Sequence, residues 1–261
     1  MDKDKPDEEV TAAILVIGDE ILSGRTKDKN IGYIADYLTT IGINLREVRI
    51  VADIEDEIVA AVNAMRERYD YLFTTGGIGP THDDITADSI AKAMGVSIDV
   101  DPRAVAIMEK RYGPGEFTPA RKRMARIPEG ADLIKNAVSG APGFMIGNVI
   151  VMAGVPRIMQ VMLDDVAPKL RTGAKMISRT IRVERPEGVV AGGLGRVQEQ
   201  FEDVSMGSYP FFRKDKLGTH LVLRATDEAR LDEAIKVLWE MLREEGFADH
   251  AREVDADEAA S

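Results

Sequence analysis

Residues 73–84 form a glycine-rich segment that directly follows a short apolar run and ends in two adjacent carboxylates. The segment reads Phe73-Thr74-Thr75-Gly76-Gly77-Ile78-Gly79-Pro80-Thr81-His82-Asp83-Asp84. Glycines let backbone N–H groups approach an anion without interference from a Cβ atom, and aspartates supply the hard oxygen ligands that divalent cations prefer. The segment therefore predicts a turn that binds a phosphate and a metal ion together.

Apolar runs of strand length precede this turn and recur along the chain. A run that is apolar on both faces is typical of a central strand in a covered parallel sheet. Between the runs, apolar residues recur with helical spacing, which predicts alternating strands and helices and a doubly wound α/β fold with a mostly parallel sheet. The predicted strands are residues 12–17, 45–51, 72–75 and 149–152. Ligands bind such sheets at the carboxyl ends of the strands, where Gly18-Asp19-Glu20 and the Gly76 turn both fall.

The alternating pattern stops near residue 172. Residues 11–172 are therefore predicted to form one nucleotide-binding domain, and residues 173–248 a small α+β module with the order βαββα. The module contains no catalytic motif of its own.

Both ends of the chain are acidic and lack a core-forming pattern. The chain of 261 residues has a formal net charge of −11, of which residues 1–9 and 249–261 carry −7. Residues 1–10 and 249–261 are therefore predicted to be disordered acidic tails. The remaining body is near −4, which argues against a nucleic-acid surface.

Composition excludes several classes of protein and site. No apolar run approaches the ~20 residues of a membrane span, and the first residues lack a signal-peptide core, so a cytoplasmic protein without membrane contact is expected. The absence of cysteine excludes disulfides, thiolate metal sites and a cysteine nucleophile. Only three histidines are present, which disfavours a multi-histidine zinc site.

Three ordered motifs together resemble the molybdopterin-binding-like domain. The motifs are Gly18-Asp19-Glu20-Ile21-Leu22-Ser23-Gly24 with Asp28 and Asn30, then residues 75–81 with Asp83-Asp84, and finally Gly154-Val155-Pro156. They are most similar to the branch found in competence/damage-inducible protein A and in the N-terminal part of eukaryotic FAD synthases. The resemblance covers residues 11–170, and the small module is similar to the segment that follows this domain in the competence proteins.

The resemblance implies a function as well as a fold. Adenylyltransferases of the family carry an arginine where this chain has Asp83, so the resemblance favours the branch of metal-dependent pyrophosphohydrolases that act on ADP-ribose or FAD. It implies catalytic and metal-ligating roles for Asp53, Asp83 and Asp84, with Mg²⁺, Mn²⁺ or Co²⁺ as cofactor. Carboxylate-held metal suffices for such a reaction, since pyrophosphate cleavage depends mainly on charge neutralisation and an oriented water. The predicted substrate-binding and phosphate-binding residues are Gly18, Asp19, Glu20, Asn30, Thr75, Gly76, Gly77, Gly79, Thr81, Gly140 and Gly154.

Other interpretations remain open from the residues alone. A molybdopterin-binding protein or adenylyltransferase of cofactor synthesis, and a nucleotide-binding protein without turnover, are the alternative functions. Asp53 and Asp84 are also placed to cap the helices that follow them. The basic cluster of Arg121, Lys122, Arg123 and Arg126 is typical of a solvated helical face and also fits a phosphate clamp.

The family pattern is not complete, and the chain is expected to self-associate. Ser139-Gly140 stands where relatives often have Gly-Thr, Ala153 where proline is common, and Met124 where glutamine is frequent, so the pocket is expected to differ from those of relatives. The expected ligand is a small nucleotide or pterin. Because domains of this family commonly associate, a homo-oligomer is expected, with a dimer favoured.

Overall fold

The chain folds into two units, each with its own sheet and core. The computed structural model describes residues 9–113, 115–213 and 216–255. The division between the units falls between Ala174 and Lys175. Among the described helices, none combines the length and the apolar character needed to cross a membrane.

The first unit is built on a six-stranded, mostly parallel sheet, which confirms the predicted α/β fold class. Its strands are β1 (Val10–Ile17), β2 (Ile43–Val51), β3 (Tyr71–Thr75), β6 (Asp132–Ile134), β7 (Gly143–Ile146) and β8 (Val149–Met152). The spatial order is β2-β1-β3-β8-β7-β6. The first four strands run parallel, whereas β7 is antiparallel to β8 and β6 is antiparallel to β7. A separate antiparallel pair joins β4 (Ile98–Val100) to β5 (Arg126–Pro128).

Helices cover both faces of this sheet, which explains why its central strands are apolar throughout. They are α1 (Asp19–Leu22), α2 (Asn30–Thr40), α3 (Glu55–Arg68), α4 (Thr86–Met94), α5 (Pro102–Arg111), α6 (Pro119–Arg123) and α7 (Pro156–Val166). Residues of α2 and α7 share one buried cluster with alternate residues of β1, and residues of α3 and α4 share the cluster on the opposite face. Asp28 starts α2 by accepting hydrogen bonds from the N–H groups of Asn30 and Ile31.

The second unit is an antiparallel four-stranded sheet with two helices. Its elements are β9 (Ile177–Val183), α8 (Glu187–Gln198), β10 (Ser205–Arg213), β11 (Lys216–Ala225), α9 (Glu228–Glu244) and β12 (Ala251–Val254). The spatial order β10-β11-β9-β12 and the sequence order βαββαβ are those of a ferredoxin-like split βαβ fold. The small α+β module expected from the sequence is therefore present and contains one strand more than predicted.

That additional strand corrects the prediction of a disordered tail from residue 249. Residues 251–254 pair with β9, and Val254 is buried against the unit. Glu253, which the prediction placed in the disordered tail, accepts hydrogen bonds from Arg179 through its carboxylate. The N-terminal tail was likewise predicted two residues too long, because Val10 is fully buried in β1 and Glu9 pairs with Arg46. Residues 1–8 and 256–261 lie outside the described part of the chain.

Candidate functional site

Three glycine-containing loops meet at the carboxyl ends of the parallel strands. Gly18 follows β1, Gly76 follows β3, and Gly154 lies two residues after β8. Neighbouring strands bring the loops together, as shown by a hydrogen bond from the Gly76 N–H to the Met152 carbonyl at 3.2 Å. The three predicted motifs, far apart in sequence, therefore lie at one edge of the sheet, where this fold class binds its ligands.

Close backbone approach explains why residues 76 and 77 are glycines. Gly76 has a φ of 104°, and a Cβ atom there would lie 2.0 Å from the Ile17 carbonyl oxygen. Gly77 has a φ of 65°, and its Cβ would lie 2.1 Å from Oγ1 of the buried Thr86. Gly154 in turn packs on Gly76, because its Cβ would lie 3.3 Å from the Gly76 Cα. Any side chain at position 76 or 77 would thus displace the loop from the strand ends.

The glycine loop presents backbone donors that the described part of the chain does not use. The N–H groups of Gly77, Ile78 and Gly79 donate to no described residue, whereas the Thr86 N–H donates to the Gly77 carbonyl. The loop leads into α4, whose N-terminus has no side-chain cap. Free N–H groups and the positive end of a helix dipole both favour an anion, so the loop has the chemistry of a phosphate site.

Asp84 shapes the glycine loop and does not cap α4. Its Oδ2 accepts hydrogen bonds from the Thr81 N–H at 2.8 Å and from the Thr81 hydroxyl at 2.5 Å. The same carboxylate lies over Gly79, since a Cβ at that position would be 2.6 Å from Oδ2. The capping interpretation is therefore wrong. Asp84 stabilises the turn between Gly79 and the start of α4.

Asp53 links the β2 and β1 loops. Its Oδ2 accepts a hydrogen bond from the Asp19 N–H at 2.9 Å, and α3 begins without a side-chain cap from it. Partial burial raises the pKa of the Asp53 carboxyl, and the negative charges of Asp19, Glu20 and Asp83 raise it further, against the lowering effect of the Asp19 N–H. Asp53 is thus the site carboxylate whose proton affinity is increased by its surroundings.

The three predicted metal ligands do not form a metal centre. Among residues 9–113, 115–213 and 216–255, no group of three or more histidine, cysteine, aspartate or glutamate side chains is arranged to hold an ion. Asp84 is directed to Thr81 and Asp53 to the Asp19 N–H, while Asp83 is exposed beside His82. No set of three metal ligands is therefore assembled among the described side chains, and the expected divalent metal stays a prediction.

Of the remaining predicted residues, Asn30 and Thr75 lie at the loops, and Gly140 lies away from them. Asn30 is 3% exposed and donates through Nδ2 to the Gly154 carbonyl at 2.8 Å, which ties α2 to the third loop. Its Oδ1 and the Thr75 Oγ1 are buried and have no hydrogen-bond partner among the described residues. Gly140 lies elsewhere, because its Cβ would contact Arg111 at 2.7 Å. Its segment reaches the loop through Pro142.

A small pocket beside the loop brings in residues whose role the sequence left open. It encloses about 20 Å³, room for about one water molecule, between the Gly77–Gly79 backbone, the first turn of α4, and Arg123 and Arg126. Arg121 is directed elsewhere, since its guanidinium lies over the Tyr112 ring and donates to the Glu116 carbonyl. Two members of the basic cluster therefore line the site. The short α6 helix gives the sequence no periodicity from which to identify them.

The fold defines the first unit as an α/β domain that carries a glycine-rich loop at the carboxyl ends of its parallel strands. Residues 13–172 match the family described as probable molybdopterin binding domain, and residues 175–251 match the family described as FAD synthase, middle domain. The chain belongs to the molybdopterin-binding domain family, in its CinA-like branch.

Individual relatives support this assignment. A Thermococcus kodakarensis protein is 34% identical over 87% of this chain and 95% of its own length. A CinA-like protein of Desulfosudis oleivorans is 39% identical over 66% of this chain and 45% of its own length. The crystal structure of the protein CinA from Thermoplasma acidophilum, described as having unknown function, superimposes with a TM-score of 0.58 at 36% identity. It covers 62% of this chain and 99% of that chain.

Proposed function

We propose that the first unit binds a phosphate-bearing pterin, as a molybdopterin-binding protein does, and holds the phosphate on the glycine loop. The observation that carries this proposal is that the N–H groups of Gly77, Ile78 and Gly79 donate to no residue in the described part of the chain and lie beside the uncapped start of α4. The family description of residues 13–172 favours a pterin as the ligand. Arg123 and Arg126 supply positive charge beside the same donors.

A second candidate function is hydrolysis of the pyrophosphate bond in ADP-ribose or FAD. Two observations favour it: the match of residues 175–251 to the FAD synthase middle domain, and the raised pKa of the Asp53 carboxyl. A carboxylate of increased proton affinity suits a general base that activates water. The chain's own residues would then bind the phosphates on the glycine loop and accept a proton at Asp53. No ligand set for a divalent metal is assembled among the described side chains, so the activity is measured both with divalent metals and with chelator.

A ligand panel distinguishes the two candidates. The intact chain is mixed with molybdopterin, ADP-ribose, FAD or NAD, with and without ATP and with Mg²⁺, Mn²⁺, Co²⁺ or chelator, and binding and products are measured. Tight binding of molybdopterin, with or without adenylylation, supports the first candidate. Release of AMP from ADP-ribose or FAD supports the second. A chain that binds none of these compounds would refute both.

We further infer a cytoplasmic homo-oligomer, most simply a two-fold dimer. The support is the domain family and the preference of soluble assemblies for two-fold symmetry. Neither the pterin candidate nor the pyrophosphate candidate calls for a nucleic acid or a membrane.

A further inference from the structure

The pocket beside the glycine loop brings loop residues and basic side chains together. Gly77, Ile78 and Gly79 line it, and so do Arg123 and Arg126. Two carboxylates, Asp84 and Asp88, also line it, so its formal charges cancel. A phosphate on the loop would therefore face a neutral pocket only while both arginines are present.

Arg126 is the oriented member of the arginine pair. Its Nη2 lies 2.6 Å from Oδ1 of Asp88, and its Nη1 lies 2.8 Å from Oδ2, so the two side chains meet in a bidentate fork. Both side chains are 31% exposed, which leaves the guanidinium accessible to a ligand. Arg123 is exposed and has no ion pair among the described residues. A guanidinium held in a fork loses less conformational freedom on binding a further anion than an unheld one does.

The fork leaves donors on Arg126 unused. A guanidinium has five N–H groups, and Asp88 engages one on each terminal nitrogen. Within the described part of the chain, Asp88 is the only acceptor for the Arg126 guanidinium. The pair also fixes the start of β5 to the first turn of α4, and the Thr86 N–H of that turn donates to the Gly77 carbonyl of the glycine loop. The guanidinium is thus held at a set position relative to the loop amides.

We propose that Arg126, oriented by Asp88, is a phosphate-binding residue that contacts the ligand opposite the amides of the glycine loop. This inference rests on the proposed function, since it requires a phosphate on that loop. It assigns to the Arg126 guanidinium a contact with the phosphate, in addition to its salt bridge with Asp88. Asp88 is a positioning residue, which acts through Arg126.

Inorganic pyrophosphate and inorganic phosphate are suitable probes, and their binding to the full chain is measured by calorimetry at low and high salt. Arg126→Gln should weaken pyrophosphate binding about 10- to 100-fold, the range expected for losing one charge-assisted contact. Pyrophosphate binding by Arg126→Gln should also depend less on salt concentration than binding by the wild type does, because one ionic contact is lost. Arg126→Lys keeps the positive charge but cannot form the bidentate contact. Its affinity for pyrophosphate should therefore lie between those of the wild type and Arg126→Gln.

Two further variants separate binding from stability. Asp88→Asn/Arg126→Gln replaces the ion pair by neutral groups, so it should melt close to the wild type and still bind pyrophosphate weakly. Arg49→Gln removes an arginine whose Nη2 lies 2.6 Å from Glu47 and which does not line the pocket, so it should bind as the wild type does.

The possible failures are distinguishable. If the wild type binds pyrophosphate and Arg126→Gln binds it equally well, with only a lower melting temperature, Arg126 is structural and the inference is overturned. Recovery of full binding in Asp88→Asn/Arg126→Gln would overturn it as well. If the wild type binds neither probe, the proposed phosphate site itself is refuted.

Discussion

Replacing Gly76 by alanine tests whether the glycine loop lies directly on the strand ends. The residue has a φ of 104°, and an alanine Cβ would lie 2.0 Å from the Ile17 carbonyl oxygen. That oxygen belongs to the central strand β1 and cannot rotate away as a side chain would. The chain must therefore shift at the junction of β1 and β3.

The size of the effect follows from two contributions. A left-handed backbone costs an alanine about 1–2 kcal/mol, and forcing extra volume into a packed position costs about 1–3 kcal/mol. The expected loss in unfolding free energy of the first unit is therefore about 2–5 kcal/mol. Gly130→Ala is the matched control, because Gly130 has a φ of 82° and open space around its Cβ. It should lose only the backbone contribution of about 1–2 kcal/mol.

Urea unfolding followed by circular dichroism measures the difference. Trp239, the sole tryptophan, lies in the second unit, so its fluorescence reports on that unit separately. Gly76→Ala should also bind pyrophosphate more weakly than Gly130→Ala does, because the loop amides move. Equal stability and equal binding in the two variants would refute the close approach of Gly76 to β1.

Four other predictions concern the site, the second unit and the assembly. Asp84→Asn should melt like the wild type because it keeps an acceptor for Thr81, whereas Asp84→Ala should lose about 1 kcal/mol; equal melting of all three proteins would exclude the Thr81 turn. Asp53 has a raised pKa in the folded state, so the folded protein holds its proton more tightly and loses stability as pH rises from the unfolded to the folded pKa. Asp53→Asn should therefore melt higher than the wild type at pH 7 and show no advantage at pH 3, and a constant difference across pH would contradict this. Deleting residues 249–261 removes β12 and should lower the melting temperature of the second unit, as followed by Trp239 fluorescence, relative to a chain that ends at Asp255. An unchanged melting temperature would show that β12 is dispensable. Light scattering at micromolar concentration should show a dimer, and a stable monomer would exclude the expected assembly.

The sequence predicted the central strands of the first unit because their composition is local information. Residues of β1, β3 and β8 are apolar on both faces, as expected for strands of a parallel sheet that helices cover on both sides. The short strands β4 to β7 escaped prediction, because three or four residues carry too little periodicity to be recognised. β12 escaped for a related reason, since its charged residues Arg252 and Glu253 resemble those of a solvated tail.

The motifs predicted which loops meet at the strand ends, but not the hydrogen-bond partners of the side chains on those loops. Glycines at 76 and 77 follow from the motif, and the structure gives each a close neighbour that requires it. The partner of Asp53 is an N–H group 34 positions away in the chain, which local pattern cannot reveal. The capping interpretation of Asp84 was wrong because its carboxylate reaches back to Thr81 and not forward to the first turn of α4. Similarly, only tertiary structure selects Arg126 from four neighbouring bases.

The position of β12 has a consequence for synthesis of the chain on the ribosome. β9 is the first strand of the second unit to be made, and its two neighbours are β11 on one side and β12 on the other. One edge of β9 must therefore remain unpaired until the last strand of the unit emerges. Open strand edges are templates for pairing with other chains. Nascent chains that stall in α9 are thus expected to pair with other chains through the open edge of β9.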